Sequence, residues 1–73
     1  MNLRAGVELT ITEIISNDMS AYKNIIERLY DLGLHVGLKI KILRMTSFGK
    51  VTVLQFDHTI LALNIEEMSC LKF

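Results

Sequence analysis

The amino-acid sequence predicts a mainly β fold. About five short antiparallel strands curl into a small, partly open barrel, with one α-helix between the first and second strands. Three observations carry this expectation. Apolar and polar residues alternate in several short runs, which is strand period with one face buried. Only one run has helical spacing. The connections are tight, and 73 residues cannot supply two full sheets, so residues 1–73 read as a single domain.

The elements follow in order. Over residues 7–15, Val7, Leu9 and Ile11 alternate with Glu8, Thr10 and Thr12, until Asn17 and Asp18 break the pattern. Residues 20–33 carry a helical stripe of Tyr22, Ile25, Ile26, Leu29 and Tyr30, extended by Leu32, with Asp18 or Ser20 as N-cap. Gly33 stands where a helix C′ residue takes positive φ without steric cost. Gly37 precedes the next strand, residues 38–45, where the chain must turn. Residues 46–49 form a turn ending at Gly49, and residues 50–56 and 59–65 form a hairpin around Asp57 and His58. Residues 66–68 suit a short helical turn, and residues 69–73 a last strand.

Composition narrows the function. Hydrophobic residues make up 51% of the chain, and mean hydropathy is +0.37. A domain this small buries only about 60% of its unfolded surface. The apolar excess therefore goes either into a dense core or into a partner or self-association surface. Eight Lys and Arg balance eight Asp and Glu. Lys39, Lys41, Arg44 and Lys50 form a local basic group, offset in sequence by Asp31, Asp57, Glu66 and Glu67. A nucleic-acid binder would carry a basic excess, so no nucleic-acid partner is expected.

The single cysteine, Cys70, has no intrachain partner and suits a reducing, cytoplasmic setting. The first residues lack an apolar signal-peptide core, and no run approaches the roughly 18 residues of a membrane span. Direct membrane insertion is not expected, and any membrane association would come through a partner.

No chemical constellation stands out. His35 and His58 sit in no recognisable motif with a nucleophile, and Cys70 lies in an apolar strand pattern. No catalytic residue is assigned, and the chain reads as a non-enzyme. His35, Asp57, His58, Glu66, Glu67 and Cys70 have no metal-site spacing, so no metal ligand or cofactor is assigned. Gly33 and Gly37 follow a helix and cannot cradle phosphate at its start. Phe48, between Ser47 and Gly49 at a turn tip, either contacts a partner or folds back over the barrel mouth. Partner contacts are expected at Leu34, His35, Val36 and Phe48, whose loops carry more apolar character than loops need. Gly33, Gly37 and Gly49 are expected to be structural turn residues.

Over nearly its whole length the chain resembles the FeoA family. Leu3 and Gly6 look like an opening Leu-x-x-Gly. Arg28-Leu29, Asp31-Leu32-Gly33-Leu34 and Gly37 look like a helix end running into L-G-L-x-x-G. Ile40 to Arg44 with Phe48-Gly49, Ile60 to Leu63, and Glu66-Glu67 follow in the family's order. Val36 replaces a usual proline, and Asn64 a common arginine. The resemblance implies an SH3-like barrel with an added helix. It also implies a non-enzymatic role in bacterial ferrous iron uptake beside the membrane transporter FeoB. FeoA-like domains also end iron-dependent repressors, so a stand-alone, metal-responsive regulatory domain is the alternative.

Overall fold

The computed structural model describes residues 4–15, 19–46, 48 and 50–73, with the side chains of residues 19–23 outside the description. The elements are β1 (Glu8–Thr10), β2 (Glu13–Ile14), α1 (Met19–Asp31), β3 (Lys39–Met45), β4 (Val51–Phe56), β5 (Thr59–Asn64), α2 (Ile65–Ser69) and β6 (Leu71–Lys72). They build a four-stranded antiparallel sheet, in the order β1-β3-β4-β5, and a two-stranded β2-β6 sheet.

The first expected strand is two strands. Ile11 N–H donates to the Leu38 carbonyl at 2.9 Å, and Ile11 O accepts from Gly37 N–H at 2.7 Å. The next residue, Thr12, instead donates to the Lys72 carbonyl at 2.7 Å. The chain thus changes sheets at Ile11–Thr12, a corner that needs the alternation to slip. Ile11 and Ile14 are both buried, three residues apart, where a single strand would bury alternate residues. The helix consequently lies between β2 and β3. The larger sheet does not close as a barrel, and β1 and β5 are its edges.

Ile40, Ile42, Leu54, Phe56 and Leu63 turn the four-stranded sheet's inner face to a core that also holds Leu29, Leu34, Cys70 and Leu71. Ile25, Ile26 and Leu32 pack against that core from the helix side. Tyr30 of the expected stripe is half exposed. Ser20 falls inside α1, and Asp18 lies outside the described residues.

Helix α1 ends in a Schellman motif. Gly33 N–H donates to Tyr30 O at 3.0 Å, and Leu34 N–H reaches back to Leu29 O at 3.1 Å. Gly33 holds φ +99° there. Four residues later, Leu38 N–H donates to His35 O at 3.1 Å, closing a turn with Gly37 at φ +92°. Both glycines, expected at turns, hold positive φ, while Gly49 lies outside the described residues.

The C-terminal part differs at its boundaries. Asn64 caps α2: its side chain accepts from Glu67 N–H at 2.8 Å, and Glu67 Oε1 accepts from Asn64 N–H at 2.9 Å. This reciprocal box starts a helix at Ile65, one residue before the expected helical turn, and ends β5 at Asn64, one residue before the expected strand end. Helix α2 runs on to Ser69, so the last strand shrinks to Leu71–Lys72.

Candidate partner interface

The outer face of the larger sheet is set by its register. Glu8, Lys41, Gln55 and Ile60 form one cross-strand row, and Arg44, Val53 and Ala62 form another. Arg44 reaches this face because of a bulge. Ile42 pairs with Leu54 and Arg44 with Val53, which leaves Leu43 as the extra residue. Without it, the period of two that buries Ile40 and Ile42 would turn Arg44 inward.

Beyond the bulge, the β3–β4 hairpin narrows to a neck. Thr46 N–H donates to Val51 O at 2.9 Å, and Val51 N–H donates to Thr46 Oγ1 at 3.0 Å. Phe48 sits in the loop this neck closes. It is 94% exposed and holds φ +70°. Of the two expectations for Phe48, the ring folding back over the core is therefore excluded. A bulky side chain in left-handed backbone costs about 1–2 kcal/mol, and no burial of the ring offsets that here.

Charge is segregated around this hairpin. No Asp or Glu occurs between Asp31 and Asp57, whereas Lys39, Lys41, Arg44 and Lys50 all do, and all four are exposed. Lys39 and Lys41 share a shallow hollow of about 370 Å³ with Glu8, Gln55 and Asp57, so carboxylates offset them. Arg44 and Lys50 lie nearer the tip in sequence. Among the described residues the ion pair is Arg28 with Glu67, far from this group in the chain.

The expected contact residues do not form one patch. Leu34 is 1% exposed and belongs to the core, because the Schellman turn folds it back beside Leu29. It is corrected here to a structural residue. His35 is exposed, with Nδ1 2.9 Å from the Val36 carbonyl, and Val36 is 55% exposed. These two precede β3, whereas Phe48 follows it. Seven strand residues separate the two ends by roughly 20 Å. The hairpin tip and the 35–37 turn are therefore two surfaces. The Arg28–Glu67 contact is absent from the sequence expectations, although Asn64-x-x-Glu67 is a readable capping-box pattern.

Other groups offer little chemistry. No cluster of three or more His, Cys, Asp or Glu side chains suited to a metal ion occurs among the described residues. Cys70 is buried, and desolvation pushes its thiol pKa up, partly countered by a hydrogen bond from Ser69 and the charge of Lys72. Such a thiol is a poor nucleophile. No helix among the described residues is long and apolar enough to cross a membrane.

Comparison with known proteins agrees with this architecture. No curated protein matches the sequence. The fold is shared with an FeoA-like protein from Clostridium acetobutylicum, solved by NMR. The two superpose with a TM-score of 0.77 at 16% identity, covering 94% of this chain and 74% of that one. The model of the FeoA domain matches residues 1–72, and the chain belongs to the FeoA family, whose members serve ferrous iron transport systems.

Proposed function

We propose that this protein is a non-enzymatic, cytoplasmic accessory protein of ferrous iron uptake that acts on the transporter FeoB. It is drawn to the inner face of the membrane by that partner. The β3–β4 hairpin is the docking element. Phe48 is the apolar anchor, and Arg44 and Lys50 provide electrostatic attraction to an acidic surface. His35 and Val36 form a second, separate contact.

One observation carries this reading: Phe48 is fully presented to solvent in backbone that disfavours it. An aromatic held this way contributes nothing to the core, so its use lies outside the chain. The test is binding of the purified protein to full-length FeoB in nanodiscs, with and without a GTP analogue. Saturable binding, lost in a folded Phe48→Asp variant, is the expected result. Absence of binding in both nucleotide states, with both proteins folded, refutes the reading.

A further inference from the structure

We propose that the free edge of β5 is a self-association surface, on which a second copy of this chain pairs its own β5 antiparallel about a two-fold axis. This surface is distinct from the Phe48 hairpin. Sheet edges are usually blunted by charge, proline or shortness. The β1 edge has three residues and carries Glu8. The β5 edge has six residues, and no charged residue occurs between Asp57 and Glu66.

The register of the hairpin identifies the free groups. Phe56 and Thr59 pair across the two-residue Asp57-His58 loop, which makes them a hydrogen-bonded pair. Alternation along an antiparallel ladder then turns the backbone groups of Thr59, Leu61 and Leu63 toward β4. Those of Ile60, Ala62 and Asn64 turn away. Asn64 bears this out, because its N–H leaves the sheet to reach Glu67 Oε1 at 2.9 Å. With Asn64 engaged, Ile60 and Ala62 remain. Neither makes a backbone hydrogen bond to another element among the described residues.

These constraints select one pairing. Each Ile60 lies opposite the other copy's Ala62 and exchanges both backbone bonds with it, and Leu61 sits on the two-fold axis. Ile60 is 61% exposed and Ala62 is exposed beside it, so a large side chain meets a small one on the outer face. On the inner face, the half-buried Leu61 meets its copy at the closer, non-bonded kind of position. No like charges oppose each other within this span. Two four-stranded sheets become one continuous eight-stranded sheet.

The test is sedimentation of the full chain over a concentration series, beside two variants. Ala62→Pro removes an N–H that β4 does not use, so the monomer keeps its circular dichroism while the dimer mass is lost. Leu61→Cys in a Cys70→Ser background brings two thiols to a separation of about 4.5 Å between Cα atoms. It is expected to oxidise to a covalent dimer faster than Thr59→Cys in the same background. A wild-type chain that stays monomeric at every concentration overturns the proposal. So does a dimer that survives in folded Ala62→Pro, or equal cross-linking of the two cysteine variants. If Ala62→Pro unfolds, the cysteine comparison decides.

Discussion

Arg28 and Glu67 join the two helices: Arg28 Nε lies 3.2 Å from Glu67 Oε2, while Glu67 Oε1 caps α2 through Asn64 N–H. The two partners are unequal. The Arg28 side chain is 65% exposed and that of Glu67 only 6%. An exposed cation contributes at most about 1 kcal/mol. Losing the buried carboxylate also removes the acceptor of Asn64 N–H, one half of the capping box, at a further cost of about 1 kcal/mol. Glu67→Ala is therefore expected to destabilise more than Arg28→Ala in urea melts. Equal losses would place the stabilisation in the ion pair rather than the cap.

Gly33 tests the helix stop. A Cβ there would meet the Phe56 ring at an ordinary 3.5 Å, so space is not limiting and the φ of +99° is. Gly33→Ala is expected to cost roughly 1–2 kcal/mol, and Gly33→Asn less, because asparagine tolerates this region. Chemical denaturation of both variants checks it, and equal cost would point to packing.

These residues mark what the sequence makes legible. Gly33 and Gly37 announce their turns because only a few residue types accept positive φ. The strands β3, β4 and β5 follow from alternation. The corner at Ile11–Thr12 stays hidden because both halves satisfy a strand pattern, and only the three-residue spacing of Ile11 and Ile14 betrays the slip. Leu34 reads as a contact residue because apolar loop residues look alike until the Schellman bond from Leu34 N–H to Leu29 O decides which one turns inward. Phe48 is legible as an oddity, but its exposure depends on a loop conformation that neighbouring residue types do not dictate.

Phe48→Gly separates strain from binding. Glycine relieves about 1–2 kcal/mol of left-handed backbone cost but adds about 0.5–1 kcal/mol of unfolded-state entropy. With the ring 94% exposed, little packing is lost. The variant is expected to be as stable as the parent, or up to about 1.5 kcal/mol more stable, while losing affinity for FeoB. A clear drop in melting temperature would show that the ring supports the fold.

Arg44→Glu and Lys50→Glu address steering. Exposed charges are screened beyond about 10 Å at 0.1 M salt. Each reversal is expected to slow association with FeoB several-fold at low salt, with little effect on dissociation. Surface plasmon resonance across an ionic-strength series would reveal this, and salt-independent kinetics would remove the electrostatic contribution.

Cys70 predicts a pH response. Its folded pKa is raised by desolvation, so the fold favours the neutral thiol. This stabilisation is fully present below the unfolded thiol value of roughly 8.5 and is lost as pH rises through the higher folded value. Cys70→Ala is expected to flatten the alkaline limb of a stability-versus-pH curve. Alkylation of the native thiol at neutral pH should proceed only as fast as the local structure opens. An unchanged alkaline limb would assign the loss to other groups.

The pairing of β2 with β6 has a kinetic consequence. Glu13 finds its partner at Lys72, and Ile14 at Leu71, across almost the whole described chain. Closing so large a loop must precede any reward from so short a ladder. The β3–β4–β5 meander, joined by tight local turns, can assemble without waiting for it. The two-stranded sheet is then expected to act as a late latch on a fold already half made, and to open first in native-state hydrogen exchange.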